Sequence, residues 1–526
     1  MKKLLNCLAF AMLSWHSFAQ EIPVKVTKSE LFKDEYKNSN IELVEDDGSG
    51  GVLIVRSYAG GIFSSGLGYY FEHYDSNLKL LKEYEYQSKQ TKGDRKTYGV
   101  ILGTISNGNQ ISMIEYLYDK TEKAYICNAL TSDINDFNFT TKELFRISYE
   151  QVEKRGSKVS FFGIGGGAAN YDSDRGAQMI INEDRSAFAI TIDIQDKAAE
   201  THKIYLFDKA LNQKLDHTFK RDIKDRKFVY ENIDVSKDGN ILYLLGKAKT
   251  EEAKKKKDGG RYQYELTRIT STDSKTQVFD TEDHYAASLK TIIFQDRLTC
   301  VGFYSDRNDN RFKGISYFEL DPTTLAIKKS KYNPFTEQFM IDKYGKNKDK
   351  ELKNVSFKKM IINTQNEIIL NAEEFYITTT TTYSPQGGTR TYTIYHYDDI
   401  ISAKIGASGD IIWARNINKR QDYPTLNPYF SFTSAAKGSD AYFFINTGEK
   451  VRKIRRDRIE FKEASAKRSN LNIIRINENG DFDYREVLDD KDNEVPFMVA
   501  NGELSGDSVF FLGQKGKKKQ ILKLTL

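Results

Sequence analysis

Along the whole chain, a β-rich run stops at a polar Asp, Asn or Gly turn and a second β-rich run follows at once. This happens at Val44-Glu-Asp-Asp-Gly48 before Val52-Leu-Ile-Val-Arg-Ser57, and at Ile233-Asp-Val-Ser-Lys-Asp-Gly239 before Ile241-Leu-Tyr-Leu-Leu-Gly246. It returns at Ile405-Gly-Ala-Ser-Gly-Asp410 before Ile411-Ile-Trp-Ala414, and at Ile476-Asn-Glu-Asn-Gly480 before Asp481-Phe-Asp-Tyr484. Asp, Asn and Gly tolerate the backbone of tight hairpin turns, and β-branched and aromatic residues suit a pleated surface. The 32 Tyr and 32 Phe spread that preference over 526 residues, and only 7 Pro interrupt it. Repeated hairpins make this an all-β chain.

Spacing narrows the fold further. The β-rich runs group into blocks at about 40–86, 98–147, 177–220, 228–281, 286–332, 355–418, 429–488 and 496–526. The fifth block shows four consecutive strands, at Leu289 to Phe294, Leu298 to Tyr304, Gly314 to Leu320 and Ala326 to Tyr332. Four strands in roughly 40–60 residues is the size of one β-propeller blade. We therefore expect a single propeller domain over 20–526, with seven or eight four-stranded blades and eight favoured. The last block shows only three strands. Ile22-Pro-Val-Lys-Val26 is free to supply another, so that the N-terminal strand pairs with the C-terminal block and closes the ring. Inserts at about 149–176 and 336–352 break the rhythm. The second carries Phe339, Met340 and Tyr344 among many charges and is expected to form a short helix.

The first residues read as a signal peptide. Lys2 and Lys3 precede an apolar run from Leu4 to Leu13, and Ser17-Phe-Ala19 places small residues at a cleavage site after Ala19. This predicts a periplasmic, extracellular or cell-surface protein. No later stretch reaches the ~20 apolar residues of a spanning helix, so no transmembrane segment is expected. Cys127 and Cys300 each lie in an apolar strand-like run and are expected as buried free thiols. Without Lys2 and Lys3 the chain carries 77 basic and 74 acidic residues, a formal charge of +3. Such a balance lacks the footprint of a nucleic-acid binder.

Motifs that suggest chemistry have ordinary readings here. Gly163-Ile-Gly-Gly-Gly167 is followed by Ala168-Ala-Asn170, without the Lys-Ser/Thr of a phosphate loop. Asp306, Asn308 and Asn310 alternate as calcium ligands would. However, Arg311 and Tyr317 stand where such a loop needs Gly and a bidentate Glu, so these three are weak metal candidates beside a strand-connecting turn. In Tyr395-His-Tyr-Asp-Asp399, strand alternation puts His396 and Asp398 on one face and Tyr395, Tyr397 and Asp399 on the other. We read His396, Asp398 and Asp399 as a structural hydrogen-bonding cluster, together with Trp413. No nucleophile elbow, catalytic constellation or cofactor motif stands out, so an enzyme is not expected. Basic hairpin tips project from the ring instead. Lys254, Lys255, Lys256 and Lys257 form one, and Arg452, Lys453, Arg455, Arg456 and Arg458 form another. Lys515 to Lys519 form a third. They are candidate contacts for an anionic partner.

In the sixth block, Tyr395-His-Tyr-Asp-Asp-Ile-Ile401, Lys404-Ile405, Gly409-Asp-Ile-Ile-Trp413 and Lys419-Arg-Gln421 resemble a motif of uncharacterised secreted propeller-like proteins of Bacteroidota. In the fifth, Gly302-Phe-Tyr-Ser305, Lys313-Gly314 and Phe318-Glu-Leu-Asp321 are similar to the preceding repeat of that group. The resemblance covers about 285–435 and implies an envelope-associated propeller without an established activity. The Gly-x-Ile-x-Trp portion also resembles quinoprotein-type and WD40-like propeller repeats. It implies shape rather than cofactor, because the mature chain keeps only Trp413. The expected function is that of a non-enzymatic envelope scaffold or accessory subunit with a protein or glycan partner. The alternatives are a glycan- or calcium-binding module, or an enzyme using two carboxylates in the central funnel on glycans or peptides.

Overall fold

The hairpin turns read in the sequence form tight loops whose glycines take positive φ: 74° at Gly48, 67° at Gly239, 85° at Gly409 and 86° at Gly480. The first two join strands one and two of their sheets, and the last two join strands three and four. The same local chemistry therefore recurs at equivalent corners. The computed structural model describes residues 22–526 apart from 60–66, 88–98, 154–176, 197, 224–226, 250–261, 280–283, 295–296, 307–310, 349, 364, 384–386, 449–450, 454–458 and 463–468. The expected signal segment 1–19, the Gly163–Gly167 run and most of the insert at 149–176 lie outside the described residues.

The described residues form eight successive sheets built on antiparallel hairpins, six of them with four strands each. Their first strands are Asn38–Asp46, Val100–Asn107, Ala177–Ile181, Phe228–Val235, Tyr285–Phe294, Val355–Ile362, Thr433–Lys437 and Glu503–Ser505. The eighth sheet takes in the N-terminus as expected, though a little further along the chain. Lys25–Lys28 pairs with the C-terminal strand Lys518–Thr525, and Phe32–Lys33 pairs with the same strand nearer its start. Ile22, expected inside that strand, is instead buried in the adjoining core. Phe497 to Leu504, expected as a continuous strand, is a bridge at Phe497, a 3-10 turn at Val499–Asn501 and the short strand Glu503–Ser505.

Alternation along the second strands builds the core. Ile369 packs toward the seventh sheet and Leu370 toward the fifth. Phe443 faces the sixth sheet and Phe444 the eighth. Each such buried side chain contributes about 1.5–3 kcal/mol. Eight apolar clusters arise in this way, each shared by two neighbouring sheets. Val44 and Ile54 of the first sheet share one with Phe510 and Leu512 of the eighth. First strands of neighbouring sheets also lie against one another. This all-β architecture is that of a β-propeller with the first strands innermost. No helix of the described residues is long and apolar enough to cross a membrane.

The insert after the fifth sheet forms the expected helix α1, Glu337–Tyr344. Thr336 caps it by accepting from the Phe339 N–H at 3.2 Å, and Gly345 ends it at φ 71°. Phe339 and Met340 are buried against the fifth and sixth sheets. Cys127 and Cys300 are free and buried.

Candidate functional site

The sixth sheet departs from its neighbours. Its central strands, Ile368–Tyr383 and Thr389–Ile405, run for 16 and 17 residues. The first strand of the sheet reaches only as far as the Val355–Glu374 pair. Tyr395–Tyr397 still pair with Gln421–Tyr423, and beyond them, from Thr378 to Tyr383, the hairpin continues alone for about 20 Å at ordinary strand rise. Cross-strand Thr pairs hold it, with Thr379 to Thr393 at 3.5 Å and Thr381 to Thr391 at 3.3 Å between hydroxyls. Tyr383 and Tyr392 are 80% and 51% exposed, and Ile377 and Ile394 are also exposed. Between Ile377 and Ile394 the described residues carry one charge, Arg390. Among the described residues no strand pairs with the outer edge of Phe375–Tyr383 or of Thr389–Ile394.

A buried ionic layer anchors the arm. Glu373, with no exposed side chain, accepts from Lys419 at 2.8 Å, Lys358 at 3.0 Å and Ser431 at 2.8 Å. Lys419 also donates to the Tyr397 carbonyl at 2.7 Å and to Gln421 at 3.1 Å. Burial opposes the Glu373 charge, but the two ammonium groups outweigh it and hold the carboxyl below its ordinary pKa. Asp399 receives Lys343 of α1 at 2.7 Å, the Asn416 amide at 3.0 Å and the Lys419 N–H at 3.1 Å, which locks the helix to the arm's root.

His396 and Asp398 share a face as expected, and Tyr376 touches both. Its ring stacks on His396 with centroids 4.3 Å apart, and its hydroxyl donates to Asp398 at 3.0 Å. His396 bonds Asp422 at 2.5 Å and Thr378 at 2.8 Å. Asp399 lies apart from this pair, and Trp413 is buried in the core between the sixth and seventh sheets. These contacts brace the root of the arm.

Among the metal candidates, Asp306 gives its carboxylate to Lys313 at 2.7 Å and His284 at 3.2 Å, while Asn308 and Asn310 lie outside the described residues. Among the described residues no three His, Cys, Asp or Glu side chains are grouped to hold a metal. Lys254 to Lys257, Arg455, Arg456 and Arg458 also lie outside the described residues. Arg452–Lys453 form a short strand paired with Ile459–Lys462. The strand that follows the tip is tied to the ring's sheets. Ile459–Lys462 pairs in parallel with Lys419–Tyr423, and Phe461 is buried against the sixth and seventh sheets.

Sequence reasoning named the funnel but not its residues. Five first strands carry the same one-residue bulge, at Glu42, Leu102, Glu231, Ala287 and Lys358. A bulge re-aims its extra side chain. Glu42 accepts from Ser57 at 2.5 Å, and Lys358 reaches Glu373. Lys359 of the sixth sheet acts on both Glu183 of the third and Glu503 of the eighth, and Glu183 acts on Asp234 of the fourth. Burial, with Glu183 adding to it, pushes the Asp234 carboxyl up to about 7. Burial, with Glu42 adding to it, pushes Glu503 up to about 8 against Lys359 and Arg185. Glu183 and Lys359 are open to water, yet protein crowds Glu183 enough to raise its carboxyl. A second missed group is His202, which sits buried between Asp193 at 2.7 Å and Glu200 at 2.6 Å. Strand alternation puts Glu200 and His202 on one face, but it brings together neither Asp193 with them nor the charged groups of different sheets.

No family model matches the chain, and no curated protein matches it. Solved structures similar in backbone include the prolyl oligopeptidase B of Galerina marginata, at 11% identity and TM-score 0.36 over 91% of this chain and 56% of that one. The β-propeller domain of the Trilobed protease from Pyrococcus furiosus matches at 10% identity and TM-score 0.31, over 72% of this chain and 92% of that one. The polysaccharide lyase Uly1 matches at 9% identity and TM-score 0.34, over 83% and 93%. The chain spans about half the length of the whole peptidases it matches. Similarity at this level says nothing of this chain's chemistry.

Proposed function

We propose that this protein is a non-enzymatic, eight-bladed binding propeller of the cell envelope that grips a protein partner with the hairpin arm of its sixth blade. The sharing of apolar clusters from each sheet to the next, and from the eighth to the first, supports a closed ring. The arm carries the functional reading. It has two open β-edges, exposed Tyr and Ile on both faces and almost no charge, and it stands on a rigid ionic root. Such edges are templates for strand addition, and proteins that leave them bare normally cover them with a partner. The envelope location and the kinship with secreted Bacteroidota propellers belong to this reading and rest on the sequence.

The test replaces residues 379–393 by an Asn-Gly turn, which leaves the Tyr376–His396 root in place. The intact protein is expected to retain a stoichiometric partner from envelope fractions, and the arm-shortened form to lose it while keeping its melting temperature. Equal recovery by both forms would end the reading.

A second reading, glycan or peptide chemistry in the funnel, is favoured by the carboxylates Asp234 and Glu503, whose raised pKa values suit a proton donor. Turnover of envelope glycans or peptides that Glu503→Gln abolishes would establish it. Turnover unaffected by Glu503→Gln and Asp234→Asn would dismiss it.

A further inference from the structure

The C-terminal hairpin places like charges side by side at the seam of the ring. Lys518 stands opposite Lys515 in the register of its own hairpin, and opposite Lys33 of the N-terminal segment on its other side. Residues directly opposite in antiparallel strands project from the same face, with Cα atoms about 4.5–5.5 Å apart. Three ammonium groups therefore stand in one row across three adjacent strands. Lys517 of the turn joins them, and its carbonyl accepts from the Asp34 N–H at 3.0 Å. These four lysines and Glu494 line a cavity of about 380 Å³. Glu494 meets Lys518 at 3.0 Å. Among the described residues no carboxylate pairs with Lys33, Lys515 or Lys517.

An edge strand often carries lysine to repel a neighbouring chain, and that lysine faces solvent with no partner strand beside it. The present row differs, because Lys518 belongs to an interior strand with a lysine on each flank. Like charges directly opposite one another cost stability. The turn is nonetheless held in place from beneath. Lys519, on the other face and fully buried, binds the Lys37 carbonyl, the Gln514 side chain and the Gly516 carbonyl, the last at 3.3 Å. The row is thus fixed by the fold and repelled by itself, and an anion seated in it would relieve that repulsion.

We propose that this seam is a binding site for a multiply charged phosphate- or sulfate-type oxyanion, which staples the N-terminal segment to the C-terminal hairpin. Lysine is a compact point charge with rotatable donors. Several together suit the tetrahedral oxygens of such an anion better than the planar carboxylate that Arg matches in its fork. Four lysines against one glutamate leave room for two or three negative charges. The anion arrives either free or as the phosphomonoester headgroup of a lipid. Because Lys33 lies at the other end of the chain from Lys515 and Lys518, occupancy stabilises the closed ring against opening at this seam.

The test is thermal unfolding of the full chain in pyrophosphate, against sodium chloride at matched ionic strength. Millimolar pyrophosphate is expected to raise the melting temperature by several degrees beyond the salt control. Lys515→Ala/Lys517→Ala is expected to weaken the midpoint concentration at least tenfold, and Lys33→Glu likewise. Both variants alter exposed side chains, and their melting temperatures without anion verify folding. Flotation with phosphatidylcholine vesicles containing phosphatidic acid separates the two sources. Binding lost in the same variants assigns a lipid headgroup, and a pyrophosphate response without flotation assigns a free anion. No response to either probe, or an equal response in wild type and variants, would overturn the site.

Discussion

Lys419 reaches Glu373 at 2.8 Å with neither side chain exposed to solvent. The pair lies where the hairpin arm leaves the ring, and Lys358 completes it from the bulged first strand. A buried charge set of this kind depends on every member, because removing one strands the others in a medium that cannot solvate them.

The order of damage follows from that dependence. Glu373→Leu leaves two ammonium groups buried without a counter-charge and is expected to cost about 3–5 kcal/mol. Lys419→Met leaves Glu373 still paired with Lys358 and is expected to cost clearly less. Urea unfolding of both variants tests the ranking, and the reverse order would refute this account of the arm's root.

Gly480 of one turn rests on Trp413 of the preceding sheet. A Cβ added there would lie 2.9 Å from the Trp413 Cβ, at a φ of 86°. Gly438 has a φ of 58° with nothing within 4 Å of its Cβ position. Gly480→Ala is therefore expected to cost about 1–3 kcal/mol, and Gly438→Ala about 1 kcal/mol. Paired denaturation curves measure the difference, which isolates contact between sheets from backbone strain alone.

His202 gives the third sheet a pH dependence. Burial disfavours its imidazolium, but bonds to Asp193 and Glu200 prevail and raise its pKa to about 9. A His raised above its unfolded value near 6.5 contributes fully below that pH and loses its contribution as pH rises through the folded value. Wild type is thus expected to lose stability between about pH 6.5 and 9. In His202→Phe the loss in that window should be smaller, a difference read from urea midpoints across the range.

Glu503 acts in the same direction for a different reason. Its carboxyl is raised to about 8, so the folded state holds a proton that the unfolded chain releases above about 4.5. Stability from this group therefore increases as pH falls from about 8 toward 4.5. Glu503→Gln, neutral throughout, is expected to remove that slope. A variant with the wild-type slope would show that Glu503 titrates normally.

What the sequence determined by itself was local. A turn at Gly48, Gly239, Gly409 or Gly480 is decided by the few residues that must tolerate positive φ, and a helix at Glu337–Tyr344 by a Thr cap and a terminal Gly. Hairpins link neighbours in sequence, so block spacing conveyed the repeated sheets and the N-terminal clasp. The His396 and Asp398 face was legible because strand alternation has a period of two. Tertiary structure alone decided the rest. Lys33 meets Lys518 only because the chain's ends share a sheet, and Lys359 reaches both Glu183 and Glu503 only because three different sheets come together there. The excess length of the sixth hairpin was hidden as well. A Thr- and Tyr-rich strand reads the same inside a sheet or beyond its edge, and only the end of the neighbouring strand at Val355 marks where the arm begins.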